Sequence, residues 1–343
     1  GSSAAGLLTG AGFALFVQSA LADEPVETAI KGWVASIDAS PDWHAGYQSL
    51  TYDATSRQAT LVGLTIHSRV PGADVNFGDI VVTGYAAAAD GGFTADRITA
   101  DGGTLDLGPF KVALSDAEIN ALAMPALPGV AWDPKRPFTS ILKAYAPLSR
   151  IAMTNGRVGS LGLIESNAGV NSRIVYDQVR IDRWNGGKIA AVTAGPMTME
   201  SPNPDGLMTM KVGSFESHDI DIDAALRVLD PDRYAGGTGD GVWHPVTGLA
   251  AYHDFEVAGP GIKMTMTLLS LEGFKLRQPR HPFADLLDQT LADPNAPATD
   301  PAAAVDMLSA YGFGRLGISG LDIAAAGLKT FHLGGFSISD LSL

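Results

Sequence analysis

The chain of 343 residues has no cysteine. That excludes thiol nucleophiles, thiolate metal sites and disulfides. Charge is scarce, at 17% of residues, and basic charge is scarcer: 23 Lys plus Arg against 37 Asp plus Glu give a net charge of −14. A surface of that sign repels phosphate backbones and argues against a nucleic-acid partner, and equally against adsorption of a whole face to anionic lipid. Lys135-Arg136 is an isolated basic pair. Catalytic signatures are missing too. There is no Gly-x-Ser-x-Gly elbow, no His-x-His or His-Glu-x-x-His, and no Lys-Ser or Lys-Thr behind the Gly-rich run 236–241.

What is abundant is glycine, with 40 residues, alongside 20 prolines and 46% hydrophobic residues. Dispersed in this way, they suit a turn-rich β protein. One short phrase recurs. Leu61-Val62-Gly63-Leu64-Thr65-Ile66 returns as Leu271-Glu272-Gly273-Phe274-Lys275-Leu276, as Ile318-Ser319-Gly320-Leu321-Asp322-Ile323 and as Leu333-Gly334-Gly335-Phe336-Ser337-Ile338. In a strand, residues two apart share a face, so the apolar stripe changes parity at each glycine. Two arrangements produce this: a bulge that shifts register, or a strand buried on opposite sides before and after the glycine.

Residues 1–22 carry no charge, have an apolar centre from Leu7 to Val17, and end in Ala20-Leu21-Ala22 before Asp23-Glu24-Pro25. This reads as a secretory leader, with an inner-membrane anchor through residues 4–22 as the alternative. The expected compartment is the periplasm or another exported location. Fold reasoning begins at residue 23.

Val26, Ala29, Ile30, Trp33, Val34 and Ile37 make one helical stripe. After Pro41 the period becomes two. A hairpin is expected across residues 53–57, then strands at 79–85, 93–99 and 104–114, with turns at Asp90-Gly91-Gly92 and Asp101-Gly102-Gly103. Ser115-Asp116-Ala117-Glu118 matches a capping box and predicts a short helix that Pro125 stops. A second helix is expected at 139–145. Strands resume at 151–154, 157–165, 172–184, 188–194, 196–200, 207–215, 249–257 and 261–276. A helix capped by Asp223 fits 224–229, and a second helical insertion spans 282–311.

Gly312-Phe313-Gly314-Arg315-Leu316-Gly317 matches a dinucleotide fingerprint as text. A helix precedes it and strands follow, the reverse of what pyrophosphate binding needs. Asp219, Asp221 and Asp223 share a face if extended, but lack the glycine of a calcium loop. His218, His244 and His253 lack zinc spacing. No metal or cofactor is expected. The ligand-facing candidates are the x-Met-x-Met alternations Met197, Met199, Met208, Met210, Met264 and Met266, which make soft apolar surface, with Trp243 as a rim anchor.

The apolar leader, the short amphipathic helix, the Leu-x-Gly-Leu-x-Ile phrases and Phe93-Thr94-Ala95-Asp96-Arg97-Ile98 resemble bacterial AsmA-like envelope proteins and other repeating-β lipid-groove proteins. The resemblance implies a lipid-carrying groove. The expected fold is α+β: one large, curved, mostly antiparallel repetitive sheet over 23–343, a groove or open barrel, with helical insertions near 115–147 and 282–311. The expected function is non-enzymatic binding or carriage of a lipid or other apolar molecule. The alternatives are an envelope assembly module pairing with a protein partner through its sheet edges, and a hydrolase using cleft carboxylates.

Overall fold

The computed structural model describes residues 26–39, 43–68, 74–89, 91–106, 110–126, 133, 135–167, 170–203, 206–234, 239–292 and 301–342. The expected leader, residues 1–22, lies outside them. Among the described residues nineteen strands form one antiparallel sheet. They are β1 (Trp43–Gly46), β2 (Ser49–Asp53), β3 (Gln58–Val62), β4 (Thr65–Ser68), β5 (Asp74–Phe77), β6 (Asp79–Thr83), β7 (Ala86–Ala87), β8 (Phe93–Asp106), β9 (Phe110–Met124) and β10 (Met153–Asn167). Then come β11 (Val170–Asn185), β12 (Lys188–Ala194), β13 (Met197–Asn203), β14 (Gly206–Val212), β15 (Ser214–Asp221), β16 (His244–Gly259), β17 (Ile262–Leu276), β18 (Tyr311–Ala325) and β19 (Phe331–Ser342).

Several short strands are in-line halves of one bent strand. β3 and β4 join at Gly63, β5 and β6 at Gly78, β12 and β13 at Gly195-Pro196, and β14 and β15 at Gly213. With such halves joined, the sheet is an up-and-down meander in which each long strand pairs only with its chain neighbours. The fold class is therefore the repetitive, curved antiparallel sheet expected from the sequence.

The curvature comes from left-handed residues. Gly63, Gly273 and Gly320 have φ of +65°, +61° and +61°. Asp116, Ala121, Gln178, Arg183, Asp219, Asp254 and Asp340 do the same in strand context without being glycine. Half of the non-glycine residues with this conformation are Asp, which tolerates it better than most side chains. The register runs through Gly273 unshifted, with Glu272 opposite Arg315 and Lys275 opposite Gly312. Leu61 and Leu64 face one cavity, and Leu271 and Phe274 face another. Neither sequence-derived alternative holds at the glycines: the one-residue slip on the β16 side falls between Pro245 and Thr247, past Gly273, and both halves of the strand face the concave side. The left-handed residue turns the chain, and inward side chains three apart flank the bend. Gly335 departs from the expectation: in β19 the left-handed residue is Asp340.

This device explains two further corrections. Residues 115–124 are part of strand β9, not a helix. Bends at Asp116 and Ala121 each add an outward residue, so Leu114, Ala117, Ile119 and Leu122 imitate helical spacing. Asp101-Gly102-Gly103 lies inside β8 and is no turn, because Gly102 and Gly103 are the compact places beside Leu114 and Phe77.

From β14 to β19 the bends are regular. A glycine, or Thr267 in β17, is followed six positions later by a left-handed residue: Gly213 and Asp219, Gly248 and Asp254, Thr267 and Gly273, Gly314 and Gly320, Gly334 and Asp340. Because neighbours are antiparallel, each left-handed residue lies beside the first residue of the neighbour's pair. A Cβ placed on Gly213 would come within 2.9 Å of Asp254 Cβ, and one on Gly248 within 3.1 Å of Asp219 Cβ. The side chains of Asp254 and Asp219 lean sideways over a neighbouring position that is glycine.

Helix α1 (Val26–Asp38) lies in the first part of the trough. Its stripe residues Val26, Ala29, Ile30, Trp33 and Val34 are all buried. Helices α2 (Pro137–Tyr145), α3 (Ile222–Leu229), α4 (Phe283–Ala292) and α5 (Pro301–Leu308) occur in alternate connections, which places them at the same end of the meander. Asp221, not Asp223, caps α3, accepting from Ala224 N at 2.9 Å. α2 and α4 are joined by buried Asp288, which accepts from Thr139 N (2.9 Å) and Oγ1 (2.6 Å) and pairs with Arg136.

Candidate functional site

The concave face has two parts. In the first, α1 supplies Val26, Ile30 and Trp33 against Leu61, Leu64, Phe77 and Ile98, leaving about 40 Å³. In the second, from β10 to β18, α3 and α4 close one end, Ala224, Val228 and Phe283 packing with Val246 and Phe274, and a cavity of about 600 Å³ remains beside them. Ile181, Val192 and Ile220 pack against the α1 core and also line this cavity, so the vacant part begins where the filled part ends.

The cavity is built from inward pairs three residues apart on β11, β15, β16, β17 and β18 (Tyr176 and Val179, Ser217 and Ile220, Thr247 and Ala250, Leu271 and Phe274, Phe313 and Leu316), with Val192 and Ala194 of β12 between the first two. Register aligns one member of each of four pairs, since Ser217 faces Ala250, Ala250 faces Leu271 and Leu271 faces Leu316. Aromatic contacts stiffen both walls: Phe215 and Tyr252 rings are 4.8 Å apart, and Phe274 and Phe313 rings 5.4 Å. Among the described lining residues the polar side chains are Ser217, Thr247, Tyr176 and Tyr252, with no carboxylate, imidazole or amine. Such a surface can desolvate and orient an apolar molecule. Its hydroxyls have no carboxylate, imidazole or amine beside them among the described lining residues.

The methionines occupy the same face, further along the strands. Met197 stands opposite Tyr176, a cavity residue, and cross-strand partners share a face. Met199, Met210, Val257, Met264, Ile323 and Phe331 form one apolar row across six strands. Met266 faces Phe255, and Met208 is exposed near the β13–β14 turn. None of the six is among the described residues of the 600 Å³ cavity; they extend its wall. Trp243 is elsewhere, with Lys275 Nζ and Arg277 stacked on its ring at 5.0 and 4.9 Å. The sequence reading missed Tyr176, Phe215, Tyr252, Phe274 and Phe313. Tyr176 and Phe274 carried a signal, the three-residue spacing about left-handed Gln178 and Gly273; Phe313 pairs with Leu316 about Gly314, and Phe215 and Tyr252 carried none.

The other polar candidates resolve into local pairs. Asp219 forms a bend, Asp221 caps α3, and Asp223 pairs with Arg227 and Arg233. His218 and His253 both meet Glu216, at 2.8 and 3.3 Å, and these contacts hold its carboxyl below the usual range. No cluster of three metal-ligating side chains occurs among the described residues, and none of their helices is long and apolar enough to cross a membrane. A scan against protein-family models finds no match for the chain, and neither does a search of curated proteins.

Proposed function

We propose that the protein is a non-enzymatic carrier or binder of a lipid or similar apolar molecule, held in the second part of its trough. The observation carrying this reading is the 600 Å³ apolar cavity in a fold whose first part is filled by its own helix. Ligand cavities commonly span about 300–1,000 Å³. Each methylene buried there contributes about 0.8 kcal/mol, so an acyl segment of about ten carbons offsets the cost of association. The methionine row gives an adaptable wall for tails of different shape. The resemblance to AsmA-like envelope proteins and the apolar leader support a bacterial envelope location for this carrier within the same proposal.

Native mass spectrometry of chain purified without organic solvent tests the reading. The expected spectrum carries an added mass in the lipid range, and Ala250→Trp, which fills the cavity, abolishes it. A ligand-free spectrum together with no uptake of an added fluorescent fatty acid would overturn the reading.

A further inference from the structure

At the end of the meander away from helices α2 to α5, aliphatic side chains stand in water at the turns. Leu207 is 51% exposed, Met208 39% and Ile262 43%. Their strands, β14 and β17, have neighbours on both sides, so this exposure belongs to the turns and not to a sheet edge. The turns touch one another. A Cβ on Gly259 would meet Met208 Cγ at 3.5 Å and Ile262 Cγ2 at 3.7 Å, and one on Gly206 would meet Pro260 Cγ at 2.9 Å. One on Gly261 would meet Ala326 Cβ at 3.3 Å, in the next turn, where Leu328 is 74% exposed. Single exposed aliphatics are ordinary, whereas a contiguous line of them marks an interaction surface.

This lip is the outer end of the concave lining. Residues two apart share a face, so Met208 follows Met210 and Ile262 follows Met264, both members of the methionine row. Along β17 the series Leu269, Met266, Met264 and Ile262 leads from the cavity wall to the lip and is apolar throughout. The opposite end is shut by Ala224, Val228 and Phe283. The cavity therefore has its apolar way out at the turns.

Local charge and composition favour one kind of partner. Lys211, Lys263 and Lys329 stand here against Asp205 and Glu256, which Lys263 pairs at 2.8 Å, on a chain whose net charge is −14. Residues 203–208, 258–263 and 324–329 contain no Tyr, Trp or Arg, the usual anchors of protein interfaces. Aliphatic turn tips backed by lysines suit a bilayer interface, where the tips enter the acyl boundary and the ammonium groups stay among the headgroup phosphates. We propose that the lip formed by Leu207, Met208 and Ile262 docks on the surface of a lipid bilayer. Its use, passage of an apolar molecule between bilayer and cavity along the methionine row, rests on the carrier reading; the docking itself does not.

The full chain should float with phosphatidylcholine vesicles in a density gradient. Leu207→Asp combined with Ile262→Asp should lower the bound fraction by about tenfold without changing the circular dichroism spectrum, because both positions are exposed. Uptake of a monomeric fluorescent fatty acid by that variant should match the unaltered chain, so loss of docking and loss of carriage are read separately. The absence of cysteine permits a single label. An environment-sensitive dye on Ile262→Cys should brighten and shift to the blue with vesicles, whereas the same dye on Val242→Cys, 54% exposed at the helix end, should not. No flotation, flotation of the double variant equal to that of the unaltered chain, or equal dye responses at the two positions would each overturn the inference. A dye at residue 262 already blue-shifted without vesicles, in a chain of doubled mass, would assign the lip to a second copy and overturn it too.

Discussion

The two parts of the trough are made by the same device and end in different states. In both, inward side chains three apart flank an outward bend: Leu61 and Leu64 in the first, Leu271 and Phe274 in the second. The first is filled by α1 and keeps about 40 Å³, while the second keeps about 600 Å³. Bending a sheet therefore creates a demand for apolar filling without deciding its source. Where the chain supplies a helix, the result is core. Where helices close only one end, the same geometry leaves an open apolar cavity.

The comparison breaks most sharply at Trp33, 6% exposed in α1. Trp33→Ala should cost about 3–5 kcal/mol in urea unfolding, the range for truncating a buried aromatic. A loss under about 1 kcal/mol would mean that α1 is not part of the core.

Overpacking sharpens it next. Ala59, with no exposed surface, has no room to grow, so Ala59→Phe should cost about 1–3 kcal/mol. Ala250→Phe grows into the vacant part and should cost less than about 0.5 kcal/mol while reducing probe uptake. Equal costs at the two sites would mean that the cavity is not open space.

The bends themselves can be compared at Gly320 and Gly334. A Cβ on Gly320 meets Thr267 Oγ1 at 2.3 Å with φ at +61°, whereas one on Gly334 meets nothing within 4 Å. Gly320→Ala should cost at least about 1–2 kcal/mol and Gly334→Ala under about 1 kcal/mol in the same unfolding assay.

The smallest effect is electrostatic and belongs to the convex side of the first part. Hydrogen bonds from Arg97, Asn120 and Arg157 hold the Glu118 carboxyl down to about 2 from 4.5. A depressed carboxylate stabilises the fold above its unfolded pKa. That contribution is present above about pH 4.5 and is lost as pH falls toward about 2. Glu118→Gln should flatten this limb of a stability–pH curve; an unchanged limb would contradict the pairing.

Much of the fold was legible because glycine advertises left-handed backbone. Gly63, Gly273 and Gly320 pointed to breaks in strand parity, and the stripe of α1 and the meander followed from ordinary periodicity. The bends at Asp116 and Ala121 were invisible, since neither residue type demands a positive φ, and the resulting spacing read as a helix. The cavity was harder still. Tyr176, Phe215, Tyr252 and Phe313 lie on four strands and meet only through register, which no local window contains. The methionines were visible as alternation, and they form a wall next to the cavity.

The most direct test is a crystallographic map of the chain loaded with a bromine-labelled fatty acid. An anomalous peak among Tyr252, Leu271, Phe274 and Leu316, with none between α1 and β3, is the predicted result. Bromine found only on the convex surface, or side chains collapsed to fill the second part, would contradict the account.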